Sequence, residues 1–218
     1  MGKGNRDMKT FQNDSRVREA VNRLDGRMRH CGDDPNGIVL ALPDGGLAMA
    51  YVVGRLLRIP VHVFIAQNLR APCHCPCAIG GLTETNVVQM DPSVIARQQW
   101  PYRELRAYIE RETQRQRAEI ARQRQLLRSG RPLPDLTGRH VLFADDGTTS
   151  LVTLIASIES FRKLGAGKIV AAMPAVSFEI MREVELRADE LIVTGPTGLL
   201  SSPGGIGMNS PGSAGLVA

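Results

Sequence analysis

Val141-Leu142-Phe143-Ala144-Asp145-Asp146-Gly147-Thr148-Thr149-Ser150 joins four consecutive apolar residues to two acids, a glycine and three hydroxyl residues. A short, unbroken apolar run reads as a strand buried on both faces. Leu151, Leu154, Ile155, Ile158, Phe161 and Leu164 then recur at a 3.6-residue period, so a helix begins directly after the turn. Strand, turn and helix in that order describe the ligand edge of a parallel α/β sheet, which takes its ligands outside the carboxyl ends of its strands. The helix N-terminus supplies unpaired N–H groups and a positive dipole end, which favour a phosphate. Thr148, Thr149 and Ser150 add hydroxyl donors, while Asp145 and Asp146 are acceptors suited to sugar hydroxyls or a hydrated Mg²⁺. The expected ligand is a sugar that carries a phosphate.

Working outward, the same alternation of apolar runs and helical periods continues on both sides. Toward the C-terminus, Lys168 to Met173 predicts a strand, Phe178 to Leu186 a helix and Glu190 to Thr194 a last strand. Toward the N-terminus, Gly37 to Leu42 predicts a buried strand that ends in Pro43-Asp44-Gly45-Gly46, Leu47 to Leu57 a helix, and Val61 to Ala66 a second strand. That βαβ unit implies a parallel pair with a right-handed crossover. Residues 67–77 read as a loop and Ala78 to Val88 as a strand or hairpin. Pro92 to Ser129 reads as a long charged helix with a possible break at Pro101, and Ser129-Gly130, Pro132 and Pro134 end it. The expected fold is α/β: an open, mostly parallel, Rossmann-like sheet with helices on both faces.

The turn and its flanks resemble the type I phosphoribosyltransferases, which carry an apolar strand, two acids, a short spacer, Thr-Gly-x-Thr and a helix. Val141 to Thr153 matches that register. Leu40 to Leu57 resembles the first loop and helix of one bacterial branch of the family, and Arg111-Glu112 through Arg128-Ser129-Gly130 to Gly138 its long helix and lead-in. The likeness runs from about Gly37 to Thr194. It implies a domain over residues 37–194; by composition and periodicity, residues 1–36 read as a polar segment with one helix (Ser15 to Met28) and residues 195–218 as a Gly/Ser/Pro-rich tail, expected to be disordered. The resemblance also implies transfer of the 5-phosphoribosyl group from phosphoribosyl pyrophosphate to a base-like acceptor, with Mg²⁺ and release of pyrophosphate. Asp145 and Asp146 become the ribose acids. Gly147, Thr148, Thr149, Ser150 and Thr153 become the phosphate loop, and Asp44, Gly45 and Gly46 the pyrophosphate loop, with Asp44 a possible Mg²⁺ ligand. A ribose-phosphate binding protein without turnover and a nucleic-acid-binding regulator are the alternatives on the same fold.

The chain departs from the pattern at Leu151, where the family has glycine, and at Asp44, where the branch has a basic residue. It departs again at Gln67-Asn68, where an Arg-Lys pair is expected. A unit charge about 5 Å from a phosphate is worth roughly 3 kcal/mol at an effective dielectric near 20. Reversing one such charge and deleting two predicts weak pyrophosphate binding and slow transfer.

Composition agrees with the strand pattern: 43 % of the 218 residues are apolar and only 4 % aromatic, which favours a Val/Ile/Leu/Ala parallel sheet. The net charge of +5 is concentrated between Arg97 and Arg139, where eleven arginines face five acids. That excess reads either as a solvated helix with pairs such as Glu112–Gln116 and Glu119–Gln123, or as a positive face for a polyphosphate or RNA. Cys73-His74-Cys75-Pro76-Cys77 lacks the second ligand pair that a structural zinc site needs, unless Cys31 supplies it. His30, His62 and His140 stand alone and read as structural or surface residues. No apolar run approaches the ~20 residues of a membrane span. The N-terminus shows no secretory h-region, so the cytoplasm is the expected location and a homo-oligomer is possible.

Overall fold

The computed structural model describes residues 33–43, 46–72, 77–97, 101–173 and 176–193. The expected Ser15–Met28 helix, His30, Cys31, Asp44, Gly45, residues 73–76 and the tail fall outside them.

The described residues form two sheets. Strands β1 (Gly37–Ala41), β2 (Val61–Val63), β6 (His140–Ala144), β7 (Lys168–Met173) and β8 (Glu190–Val193) make a five-stranded sheet in the order β2-β1-β6-β7-β8. All its pairings are parallel. The strand read first in the sequence is therefore the central one. Its two faces bury alternate residues, as the unbroken apolar run requires. Val141 and Phe143 face helices α4 (Leu151–Lys163) and α5 (Phe178–Glu185), within a core that includes Leu154, Phe161 and Val184. Leu142 and Ala144 face α1 (Gly46–Leu57) through Met49, Ala50 and Val53. Phe161 meets the rings of Phe64 and Phe143 edge-on, at centroid distances of 4.7 and 5.2 Å. The expected open parallel sheet with helices on both faces is what the chain forms.

One expectation fails here. Val61 to Ala66 does not make a single strand, and residues 67–70 are not a loop. β2 ends at Val63, and the chain crosses to a separate antiparallel sheet of β3 (Ala66–Arg70), β4 (Ala78–Thr83) and β5 (Val88–Met90). Phe64 and Ile65 are wholly buried in different cores, so the apolar run continues through the crossing without marking it. In β3, Leu69 is buried between the exposed Asn68 and Arg70, the period-2 pattern of a half-buried strand.

The small sheet lies between α4 and the long helix α3 (Tyr102–Arg128), which is preceded by the short α2 (Pro92–Arg97). Against α4 the approach is so close that a Cβ on Gly81 would stand 2.6 Å from the Thr153 Cα. Against α3, Ile65, Leu69, Ile79 and Leu82 pack with Ile120. The expected break near Pro101 separates α2 from α3.

Candidate functional site

The site begins where β6 runs out. Asp145 is fully buried, and its N–H donates to the Ala172 carbonyl (3.1 Å), continuing the strand pairing by one residue. Its Oδ2 accepts from the Gly147 N–H (2.8 Å) and its Oδ1 from the Thr149 hydroxyl. Gly147 sits at φ 87°, the left-handed region that glycine occupies without strain, which turns the chain back over the carboxylate. Burial pushes the Asp145 carboxyl up to about 6, and the neighbouring Asp146 adds to the shift against the hydrogen bonds. Both Asp145 oxygens are thus engaged within the turn, and the residue acts as its internal anchor.

Asp146 is half-buried. Its Oδ1 accepts from the Thr148 N–H (3.0 Å) and hydroxyl (2.7 Å). Ser150 caps α4 in an extended conformation, but its hydroxyl accepts no helix N–H and lies 2.6 Å from Asn68 Oδ1 and 3.0 Å from the Thr153 hydroxyl. Thr153 donates to the same Asn68 oxygen (2.6 Å). Asn68, a departure from the family pattern, therefore ties β3 of the small sheet to the turn. A Cβ on Gly46 would lie 2.3 Å from the Ala144 carbonyl oxygen, so this glycine lets α1 begin directly beside the end of β6. The rest of the predicted pyrophosphate loop, Asp44 and Gly45, lies outside the described residues.

A cavity of about 630 Å³ opens at this edge. Thr148, Thr149 and Thr153 form one wall, with Leu42 and Pro43 from the end of β1. β3 contributes Ala66, Gln67, Asn68 and Arg70, and α3 contributes Arg115, Gln116, Ala118, Glu119 and Arg122. Asp145 and Asp146 do not themselves line it.

The α3 wall was not assigned to the site from the sequence, and it changes the charge at the mouth. Gln67 and Asn68 are neutral there, but Arg70, Arg115 and Arg122 bring three cations. Arg115 grips Glu112 through Nε (2.8 Å) and Nη2 (2.9 Å), and Arg122 grips Glu119 the same way (2.8 and 2.6 Å). Arg70 forms no ion pair with any described residue. The expected pairs Glu112–Gln116 (2.8 Å) and Glu119–Gln123 (3.2 Å) are present, yet Glu112 and Gln116 are buried against the small sheet rather than solvated. Burial raises the Glu112 carboxyl, but hydrogen bonds from Arg115, Gln116 and the Arg70 N–H more than offset this and leave it below the usual carboxylate range. The sequence points to this wall through the arginine excess between Arg97 and Arg139, one reading of which is a positive face for a polyphosphate, and through the seven-residue spacing of Arg115 and Arg122, two turns along one helix face.

Among the described residues no group of three or more His, Cys, Asp or Glu side chains could hold a metal ion. Cys77 is a free, half-buried thiol. His140 Nδ1 lies 2.6 Å from Asp34 Oδ2 at the opposite end of β6. No helix of the described residues is long and apolar enough to cross a membrane.

No family model matches the chain. It is 30 % identical over 155 residues to two Mycobacterium tuberculosis proteins, from two strains, that are provisionally named phosphoribosyl transferases. That match covers 71 % of this chain and 34 % of theirs, so the chain spans about a third of the length of these relatives. The crystal structure of a Thermus thermophilus protein superposes with a TM-score of 0.63 at 24 % identity, over 86 % of this chain and 85 % of that one.

Proposed function

We propose that this chain is a member of the phosphoribosyltransferase family, binds a ribose phosphate at the Asp145–Thr153 turn and transfers a phosphoribosyl group from phosphoribosyl pyrophosphate to an acceptor. One observation carries the proposal. The carboxyl end of the central strand runs into a turn whose hydroxyls and helix N-terminus border a cavity large enough for a small ligand.

Each residue has a part that follows from its contacts. The N–H groups that open α4 are the donors for the 5-phosphate. The hydroxyls of Thr148, Thr149 and Thr153 line the cavity beside them but now donate to Asp146, Asp145 and Asn68, and each must turn from that partner to reach the phosphate. Asp146, half-buried and held by one oxygen only, is the acid left to accept a ribose hydroxyl. Asp145 positions the turn instead of touching the sugar, since both its oxygens are engaged inside it. Gly46, with Asp44 and Gly45 before it, would take the pyrophosphate.

In the reaction an acceptor lone pair forms the new bond to C1 of the sugar as the C1–O bond to pyrophosphate breaks. The pyrophosphate leaves with that electron pair, and the acceptor's proton passes to solvent. The main demand is stabilisation of the departing charge. Mg²⁺ fits as an ion carried largely by the phosphates and its own waters, with Asp146 as a single protein carboxylate, because Mg²⁺ seldom needs a complete protein cage.

Calorimetry with ribose 5-phosphate and Mg²⁺, on the wild type and on Asp146→Asn, tests binding. Saturable binding by the wild type, weakened about tenfold or more in the variant, is the expected result. Equal binding by both would move the site elsewhere. Acceptor-dependent release of pyrophosphate then separates transfer from binding alone. Binding without transfer is the second reading, and the observation behind it is Leu151, which stands at the head of α4 where the family has glycine.

A further inference from the structure

We infer that the α3 and β3 side of the cavity receives a carboxylate on the molecule that accepts the phosphoribosyl group. This rests on the ribose-phosphate reading of the opposite wall.

The organiser is Glu112, a buried carboxylate that does not line the cavity. It fixes three residues that do. Its two oxygens accept the Nε and Nη2 of Arg115, and Oε1 also accepts the Gln116 amide (2.8 Å) and the Arg70 N–H (3.3 Å). A guanidinium held by one edge still presents Nη1, so Arg115 is aimed rather than consumed. Its side chain stays 64 % exposed while that of Glu112 is 5 % exposed. Glu119 holds Arg122 by the same edge one turn pair further along α3.

The balance of charge favours an anion. Three arginines line the cavity against Glu119 alone, and they still outnumber the acids once the buried Glu112 is counted. The described lining residues include no aromatic ring on which a neutral base could stack; their apolar members are Leu42, Pro43, Ala66 and Ala118. Recognition on this side must therefore come from hydrogen bonds and charge. Arginine is suited to a planar carboxylate or a phosphate because its donors match two acceptor oxygens at once.

The test uses acceptor pairs that differ by one carboxylate, orotate against uracil and nicotinate against nicotinamide. Each is titrated into the full chain with ribose 5-phosphate and Mg²⁺ present. The carboxylate member of at least one pair should bind about tenfold tighter, and Arg70→Ala and Glu112→Gln should each remove most of that advantage. Arg70 is exposed and its strand pairing uses only backbone, so Arg70→Ala tests the idea even if Glu112→Gln loosens the fold. Equal affinity within both pairs, with ribose 5-phosphate still bound, would overturn the anionic subsite and leave the ribose-phosphate site standing. An Arg70-dependent carboxylate preference without any binding of ribose 5-phosphate would do the reverse.

Discussion

Asp145 is the residue on which the site's geometry turns, and its burial makes a prediction with a definite sign. Its ordinary pKa is 3.8 and burial lifts it to about 6 in the folded protein. Between those values the folded state holds a proton that the unfolded state has released. The stabilising contribution of the proton is complete below pH 3.8 and is lost as the pH rises through about 6. At neutral pH the ionised form is disfavoured by at most ~3 kcal/mol. Asp145→Asn removes this dependence, although its amide puts an N–H against one of the two donors now facing the carboxylate. That mismatch should destabilise the fold by about 1–3 kcal/mol at pH 5. The difference in unfolding midpoint between wild type and Asp145→Asn should shrink from pH 5 to pH 7. A constant difference would mean that the carboxyl is ionised throughout. The acids themselves were legible in the sequence, because they end an apolar run. Their division of labour was not, since only the turn made by Gly147 shows which of them faces inward.

Elements far apart in sequence complete the site, and that distance explains what sequence reading missed. β6, the turn and α4 are contiguous, so their pattern alone specifies them. β3 was hidden because Val61 to Ala66 stays apolar while the chain changes sheets, and nothing local records that Phe64 and Ile65 enter different cores. Glu112 meets the Arg70 N–H across 42 positions, beyond the reach of any periodicity. The crossing itself is held by a buried pair. Arg128 at the end of α3 bonds Glu84 and the Val63 carbonyl (3.2 Å), and Glu84 accepts the Ile65 N–H (2.8 Å). The two side chains are only 8 % and 6 % exposed. Burial raises the Glu84 carboxyl in spite of Arg128, so neither partner is tolerable alone. Arg128→Met or Glu84→Leu should each destabilise the protein by about 3–5 kcal/mol, and the double variant by much less than their sum. Strictly additive losses in denaturant midpoints would show that the pair is not coupled. Gly81 makes the second junction. Gly81→Ala forces its Cβ onto the Thr153 backbone and should lower stability by about 1–3 kcal/mol while loosening ribose 5-phosphate binding. An unchanged midpoint and affinity would mean that the two elements separate without loss.

The whole molecule has its candidate site between two sheets, and α4 belongs to both. Phe161 fills the core of the large sheet, while the Ser160 hydroxyl bonds Thr83 (2.9 Å) and Thr85 (2.8 Å) of the β4–β5 hairpin. Thr153 on the same helix touches Gly81 and bonds Asn68. Losing either sheet strips partners from the other face of one helix, so the described core should unfold in a single transition. A ligand at the Asp145–Thr153 turn then stabilises all of it at once. At a concentration of about a hundred times its Kd, ribose 5-phosphate adds roughly 2.7 kcal/mol. For a chain of this size that amounts to a rise in melting temperature of about 5–10 °C. Calorimetric scans with and without ribose 5-phosphate and Mg²⁺ should therefore show one peak that moves as a unit, and Asp146→Asn should show a much smaller move. Two peaks, of which only one shifts, would mean that the small sheet and α3 form an independent unit, and the cavity would then be a crevice between bodies that open without unfolding. A single peak that ribose 5-phosphate leaves in place would keep the architecture and remove the ligand assigned to it.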